Sequence, residues 1–356
     1  MKKILEEKDI EDDIMEEHEY VASYNLNSYG IDFDVHGLVR RLNDEKIYLP
    51  SFQRNYVWEP SKASRFIESL LLGLPIPSIC LYKEEDNKQI IIDGYQRLET
   101  IRSFYNKSFP NGKVFSLSGV NPILNGKTID DLDYESRLKL EDTLIHATIV
   151  KADEPQDQNY NAVYLIFERL NTGGVNLTAQ EIRNCVYHGS FQEIIKSLSN
   201  NKDYIDMFNI SQTRKKNEEI ILRLFGLCLM YKDYSGNMKE FLNCVMEKHI
   251  LETEDSLSTD IKCFKKTLKA VSSLDIALFK PNGKLNLAIL DGVFVGTYYY
   301  LLNKQLDNPE KYKESVKKLI TSKDFVKNIE TGKTHHTSPL KERIELSIAE
   351  IKKSNE

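Results

Sequence analysis

The sequence has few of the features that indicate a metal site or a P-loop. Its five cysteines stand singly among 356 residues, without a C-x-x-C pair. This pattern argues against a disulfide framework and against a zinc site, and it favours buried or idle thiols. No G-x-x-x-x-G-K-[ST] motif, internal repeat or low-complexity tract occurs. Any hydrolysis of a nucleotide would therefore not use a P-loop.

A long apolar run is also missing. The best candidate, Leu285 to Leu302, contains Asp291 and several tyrosines, and it is better interpreted as a buried helix than as a membrane span. The opening MKKILEEKDIEDD shows no apolar signal region. We therefore expect a cytoplasmic protein.

Positive charge is not in excess. The formal net charge is −6, which does not indicate a nucleic-acid binder. The segment Glu6 to Glu19, here called the acidic lead, holds nine acids and one lysine, a net of −8, so the rest of the chain carries +2. The part from Lys311 to Arg343 is rich in lysine. The acidic lead is interpreted as a solvated tail or helix, or as an intramolecular mimic of nucleic acid that covers a pocket.

The apolar pattern predicts an α+β chain. Strands are predicted for SICLYK and QIIID, joined by the turn EEDN, and for TLIHATIVK. Helices are predicted for residues 34–46, 61–72 (with Ser61 as N-cap), 97–105 and 161–170, and TAQE (178–181) is a capping box that begins another. Long helical patterns follow at 217–231, 238–250, 260–271, 284–303, 309–319 and 339–351. We therefore expect an α/β N-terminal domain followed by an all-helical C-terminal domain.

The segment IIIDGYQRLETI, Ile90 to Ile101, combines a buried strand, a turn and a helix. A helix that begins after such a turn presents free N–H groups and the positive end of its dipole, which suits a phosphate. Gly94 allows a tight turn, and Arg97 is a bidentate phosphate donor. Asp93 is a candidate for holding Mg²⁺ or for positioning a water, and Gln96 for orienting a ligand or a water. Asp-Gly is also a common turn, so a purely structural role stays open.

Two further clusters support a ligand site. The first is QRNYVW, which places Gln53 and Arg54 near Tyr56 and Trp58, the single tryptophan. Polar forks beside aromatic rings suit a base bound by stacking, although the rings could equally anchor helices. The second is FERLNTGGVNLT, which places Arg169 and Asn171 at a helix end next to two glycines.

In this order and at these spacings, QRNYVW, DGYQRL and FERLNTGGVNL resemble the N-terminal domain of GmrSD-type modification-dependent restriction systems, over about residues 29–198. The family shows QR-x-Y-x-W, DGQQRL and F-x-x-(I/L)-N-x-x-G-x-x-L. The resemblance implies a fold related to ParB and sulfiredoxin. It implies a ParB-like nucleotide-binding domain at 29–198, which lies between the acidic segment at 1–28 and the helical domain that the helical patterns predict at 199–356. It further implies binding and hydrolysis of a nucleoside triphosphate with Mg²⁺, and contact with modified phage DNA.

Carried over to this chain, the resemblance assigns a catalytic and phosphate-binding role to Asp93, Gln96 and Arg97. It assigns nucleotide binding to Gln53, Arg54, Gly94, Tyr95, Arg169 and Asn171. Tyr95 departs from the family, which has glutamine there; its ring could stack on a base or fill space. A non-hydrolysing nucleotide sensor and a module that recognises DNA modification are therefore alternatives to an NTPase.

The nuclease domain that often accompanies this family is not recognised in the sequence. His249 is isolated, and His335 and His336 have no downstream Asn-His partner. If the chain serves in DNA restriction, we therefore expect either a separate nuclease subunit or an output other than cutting, and we keep DNA and a second copy of the chain as further partners. Arg343, in the last predicted helix, is interpreted as a surface residue or as a contact to nucleotide or DNA.

Overall fold

The computed structural model describes residues 10–11, 26–49, 56–84, 86–152, 160–170, 177–208, 210, 215–329 and 336–355. Contacts along the chain divide it into two units. The α/β unit is Val21–Leu177; the helical unit is Thr178–Glu356 together with Met1–Tyr20. The division falls before the boundary that we expected at residue 198, so the segment 178–198 packs with the helical unit.

In chain order the strands are β1 (Ile10–Glu11), β2 (Leu26–Asp34), β3 (Ile47–Tyr48), β4 (Ile79–Lys83), β5 (Gln89–Asp93), β6 (Leu144–Ala152) and β7 (Leu285–Asn286). The helices are α1 (Val35–Asn43), α2 (Pro60–Leu72), α3 (Tyr95–Tyr105), α4 (Tyr134–Glu141), α5 (Tyr160–Leu170), α6 (Ala179–Val186), α7 (Ser190–Ser199), α8 (Lys202–Phe208), α9 (Lys216–Met230), α10 (Met238–His249), α11 (Ser258–Ser272), α12 (Leu287–Leu301), α13 (Pro309–Thr321), α14 (Lys323–Lys327) and α15 (Thr337–Asn355). The expected α+β class with a helical C-terminal part is confirmed.

The α/β unit is built on a mixed sheet in the order β2-β6-β4-β5-β3. β6 pairs antiparallel with β2 and parallel with β4, and β5 pairs antiparallel with β4 and parallel with β3. The turn EEDN therefore joins a hairpin, as predicted. In this order β5, which ends at Asp93, is an inner strand with β4 on one side and β3 on the other.

One face of the sheet carries the main core of the α/β unit. Ile79, Ile91 and Ile149 pack there against residues of α1, α2 and α3. Because side chains alternate along a strand, Cys80 and Ile90 point to the other face, where both are buried. The helix α5 contacts β5, and its Phe167 is 1% exposed.

Local sequence explains most helix boundaries in this unit. Asp34 caps α1 by accepting a hydrogen bond from the Gly37 amide at 2.6 Å. The predicted cap of α2 was wrong: Glu59 is the N-cap residue and Pro60 begins the helix, because proline's fixed φ suits the first helical position. Gly73 ends α2 in the left-handed conformation, with φ +73°.

The helical unit has α12 in its core. Residues Leu287 to Tyr298 of α12 are all buried, so the interpretation of this apolar segment as a buried helix is confirmed. The capping box at α6 is also confirmed, with Thr178 and Glu181 bonded reciprocally. In the described part of the chain, no helix combines the length and the apolar character that a bilayer crossing requires.

The acidic lead contributes a strand to the helical unit. Ile10 of β1 pairs in parallel with Leu285 of β7, and their side chains are 8% and 0% exposed. At Ile10 and Glu11 the acidic lead therefore forms a strand rather than a helix, and Ile10 is buried rather than solvated. The pair is also the one strand pairing of the helical unit within the described residues, where we had predicted helices alone.

A buried ion cluster joins three helices of the helical unit. Asp291 on α12 accepts hydrogen bonds from Arg223 on α9 at 2.8 Å and from Arg343 on α15 at 2.9 Å. Arg343 and Asp291 are both 0% exposed, so the interpretation of Arg343 as a surface residue was wrong. Burial lowers the pKa of Arg343, and the Asp291 carboxylate opposes that shift.

Candidate phosphate site at the β5–α3 turn

Gly94 forms the turn between β5 and α3 in a conformation that other residues adopt only with strain. Its φ is +99°, in the region that favours glycine. A Cβ at this position would lie 2.5 Å from Cγ2 of Ile79. The glycine thus permits both the left-handed turn and the close approach of the turn to β4.

Arg97 folds back over this turn. Its Nη2 donates to Oδ2 of Asp93 at 2.8 Å and to the carbonyl oxygen of Ser78 at 3.0 Å. The Arg97 side chain is 17% exposed and that of Asp93 is 51% exposed. Within the described residues, no acceptor bonds to the buried Nε of Arg97. The guanidinium therefore has donor capacity that these contacts do not use.

The first turn of α3 adds backbone donors. Gly94, the N-cap residue, has no side chain to cap the helix, and no acid lies in its first turn. As at every helix start, the first-turn amides have no partner within the helix itself. Together with Arg97 they make a turn with donors and positive potential, which suits an anion.

Gln96 ties the QRNYVW segment to the turn. Its Oε1 accepts hydrogen bonds from the backbone amides of Val57 at 3.0 Å and Trp58 at 3.3 Å. Val57 and Trp58 precede Gln96 in the chain by 39 and 38 positions. The side chain that we predicted to orient a ligand or a water therefore positions a second segment beside the turn.

Two tyrosines pack beside the turn. Tyr95 is half-buried against the core of the α/β unit, and burial raises its pKa to about 12. The Tyr56 hydroxyl shares a hydrogen bond with Oγ1 of Thr100 at 2.8 Å, and burial raises the pKa of Tyr56 to about 12 as well. Both hydroxyls therefore stay protonated at neutral pH, and both rings contribute to packing.

Trp58 lies at the margin of the site. Its ring contacts Phe66 edge to face with centroids 5.6 Å apart, and the Lys62 ammonium lies 4.8 Å from the indole centroid. Such a cation–π contact at a partly exposed ring is worth roughly 0.5–1 kcal/mol. Because its amide is bonded to Gln96, this single tryptophan is a natural fluorescent reporter of the turn.

The other predicted site residues are placed only in part. Arg169 is exposed in the last turn of α5. Gln53, Arg54 and Asn171 lie outside the described residues, and so does His335. The structure therefore brings together Asp93, Gly94, Tyr95, Gln96 and Arg97 with Tyr56 and Trp58.

Some contributors were not predicted. The Ser78 carbonyl holds Arg97, Ile79 closes the space over Gly94, and Thr100 links Gln96 to Tyr56. Thr100 Oγ1 also donates to the carbonyl oxygen of Gln96 at 2.7 Å. Thr100 stands four residues after Gln96, on the same helix face, and this spacing was the available indication. Backbone carbonyls such as that of Ser78 leave no trace in a sequence.

A Mg²⁺ ion would fit the chemistry of this turn only if a bound phosphate group supplied part of its coordination. Asp93 offers one carboxylate, and within the described part of the chain its Oδ1 makes no hydrogen bond. Mg²⁺ typically takes one or two carboxylates together with substrate phosphates and waters. No group of three or more His, Cys, Asp or Glu side chains in the described ranges is placed to hold a metal.

A mixed sheet with a strand–glycine–helix turn and an arginine over the turn resembles the arrangement with which other α+β domains bind anions at a helix N-terminus. The family comparison is more specific. Residues 35–188 match the family model described as GmrSD restriction endonuclease, N-terminal domain. Neither a curated protein nor a solved structure matches it.

The matched residues cover somewhat less than half of the chain. They include α1 to α5, the sheet from β3 to β6, and also α6, which packs with α9 and α10 in the helical unit. The resemblance of the three sequence clusters to this family is confirmed. The rest of the helical unit lies outside the match.

Proposed function

We propose that the chain binds a nucleoside triphosphate with Mg²⁺ at the β5–α3 turn and hydrolyses it, as the nucleotide-dependent component of a bacterial restriction system that acts on phage DNA with a separate nuclease subunit. The observation that carries the proposal is the placement of Arg97. Its guanidinium lies over a left-handed glycine turn, next to the first turn of α3, with a buried Nε that no described acceptor satisfies.

The site's own residues suggest how a triphosphate would be held. Arg97 would exchange its ion pair with Asp93 for a phosphate, since a half-exposed pair of this kind is worth at most about 1 kcal/mol. The first-turn amides of α3 would bind the same group. Asp93, once released, would hold the Mg²⁺, which supplies neutralisation of the phosphate charge when bound. Gln96 would keep the segment with Trp58 next to the ligand.

Phosphate release from each of the four ribonucleoside triphosphates, with Mg²⁺, tests this proposal. We expect release by the unmodified chain and its loss in both Asp93→Ala and Arg97→Ala. Arg40→Ala is the matched control, because Arg40 is an exposed arginine of the same unit on α1. Release that continues in both variants, or none from the unmodified chain, would contradict hydrolysis at this turn.

A second candidate is a nucleotide sensor without turnover. It is favoured by Gln96, whose Oε1 already accepts two backbone hydrogen bonds and so is engaged rather than directed at a water. Asp93→Asn separates the candidates through Trp58 fluorescence. The substitution removes the charge that competes for Arg97, so Mg²⁺-free triphosphate should bind more tightly in either case. If Asp93 holds Mg²⁺ in an enzyme, the variant should also lose the Mg²⁺ dependence of binding and all release. A sensor would show saturable binding without release in both the unmodified chain and Asp93→Asn.

A further inference from the structure

The exposed face of α11 consists almost entirely of lysine. Its four lysines are exposed, while Ile261, Phe264 and Leu268 of the same helix are buried in the helical unit. The four exposed lysines, here called the lysine stripe, are Lys262, Lys265, Lys266 and Lys269. They follow the spacing i, i+3, i+4, i+7, which places them on one side of a helix. The row extends about 10 Å along the helix axis.

In the part of the chain that the structure describes, the lysine stripe has no acidic partner. Within the described residues, none of its four ammonium groups lies within 4.0 Å of a carboxylate. The segment from Ile261 to Leu274 contains no Asp or Glu. Asp260, at the start of α11, accepts a hydrogen bond from the hydroxyl of the buried Tyr298 at 2.6 Å. Asp255 and Asp275 lie beyond the two ends of the helix.

Some other lysines on the surface of the same unit have acidic partners. Lys196 pairs with Glu193 at 3.2 Å, and Lys248 pairs with Asp233 at 3.3 Å. Lys313 and Lys318 likewise pair with Glu310 at 2.8 Å and Glu350 at 2.7 Å. The lysine stripe differs from these pairs because four lysines without an acid within 4.0 Å in the described residues share one helix face. Like charges at i, i+3 and i, i+4 disfavour the helix, so the stripe is an arrangement that folding alone does not select.

We propose that the lysine stripe is a contact face for the sugar–phosphate backbone of duplex DNA. Double-stranded DNA carries one negative charge per about 1.7 Å of its axis, so a straight row of cations can meet several phosphates at once. Lysine acts on phosphate as a point charge, and the stripe offers none of the arginine, asparagine or glutamine side chains that read bases. The contact is therefore independent of sequence.

The exposed side chains also favour DNA over a lipid surface. A helix that lies in a membrane interface presents apolar side chains beside its cations. On α11 the apolar side chains are buried in the core of the helical unit, and Thr259 and Ser273 flank the stripe. Because the whole chain has a net charge of −6, attraction to DNA would depend on this local row and would be steeply sensitive to salt.

The inference does not rest on nucleotide hydrolysis. The lysine stripe lies in the helical unit and outside the residues that match the family model. DNA binding is therefore measured without nucleotide. A chain that releases no phosphate from any of the four triphosphates should still bind DNA through the lysine stripe, so failure of the proposed NTPase activity would leave this expectation unchanged.

The test compares two variants with the same change in net charge. In the first, all four residues of the lysine stripe are replaced by glutamine. In the second, the control, the same replacement is made at the four paired residues Lys196, Lys248, Lys313 and Lys318. Binding of a short fluorescent DNA duplex is followed by anisotropy between about 50 and 200 mM salt. Helix content and melting temperature are measured for both.

We expect the stripe variant to bind DNA at least about tenfold more weakly at low salt, with a slope of log K against log salt that is smaller by up to about 3–4. The control should keep nearly the affinity and slope of the unmodified chain. An unchanged slope in a folded stripe variant would overturn the proposal. So would an equal loss in both variants, an absence of DNA binding by the unmodified chain, or stripe-dependent binding to phosphatidylserine vesicles without DNA binding.

Discussion

Gly94→Ala should destabilise the α/β unit by about 2–5 kcal/mol. Placing an L-residue at φ +99° costs roughly 1–2 kcal/mol. The added Cβ would also lie 2.5 Å from Cγ2 of Ile79, and overpacking of this kind costs about 1–3 kcal/mol. The two effects act on the same turn that positions Arg97, so phosphate binding should weaken together with stability.

Gly112→Ala is the matched control for the backbone effect. Gly112 has a φ of +79°, but a Cβ there would meet nothing within 4 Å. It should therefore show the roughly 1–2 kcal/mol of backbone strain without the steric part. Both substitutions gain the same small stabilisation from a less flexible unfolded chain, so the difference between them isolates the contact with Ile79.

A double-mutant cycle with Ile79→Ala measures that contact directly. Removing the Ile79 side chain opens the space that the new Cβ needs, so the double variant should be more stable than the sum of the two single changes by about 1–3 kcal/mol. Urea unfolding followed by the fluorescence of Trp58 is the suitable assay, because the single tryptophan lies in the α/β unit. A Gly94→Ala variant as stable as Gly112→Ala, or a cycle without coupling, would refute the reasoning.

The remaining predictions concern the helical unit. Asp291→Asn should destabilise it by about 3–5 kcal/mol in urea, because two buried guanidinium groups lose the carboxylate that they share; Asp233→Asn, at an exposed pair, should change little. His249→Phe should raise the melting temperature, since both ring nitrogens of His249 are buried without a partner in the described part of the chain. Burial lowers the pKa of His249 from 6.5, so the unfolded chain takes up the proton first. His249 therefore reduces stability as pH falls below about 6.5, and the variant's stability should fall less on acidification. Replacing the lysine stripe by glutamine should stabilise the unit by roughly 1–2 kcal/mol, because four like-charge pairs disappear; a melting temperature below that of the unmodified chain would contradict this.

Local patterns predicted the elements whose formation depends on neighbouring residues. The strand QIIID, the hairpin with SICLYK and the capping box at Thr178 need no information from elsewhere in the chain, and all three are confirmed. The predicted start of α2 was wrong. Ser61 was expected to be the N-cap, but Pro60 occupies the first helical position, which its fixed φ favours.

Long-range polar contacts were not predictable in the same way. Arg343 stands three residues after the buried Leu340, so its spacing placed it on the apolar side of α15 while its charge indicated the surface. The burial of Arg343 is explained by Asp291, a lone acid in an apolar helix 52 positions away. Each is unfavourable to bury alone, and together with Arg223 they form a bonded group. A single charged residue on the apolar side of each of two helices, with opposite signs, indicates that the two side chains pair, and the sequence does contain this information.

The β5–α3 turn combines two kinds of contact that serve different purposes. Gly94 and Gln96 hold the backbone in place, through a left-handed turn without space for a Cβ and through two hydrogen bonds to the segment with Trp58. The Asp93–Arg97 pair is half exposed and weak, so an anion can replace it without disturbing that framework. A ligand with a phosphate group would therefore gain the Arg97 guanidinium and release the Asp93 carboxylate in one event. The released carboxylate is what distinguishes an enzyme from a sensor, because only an enzyme needs it for the metal or for a water.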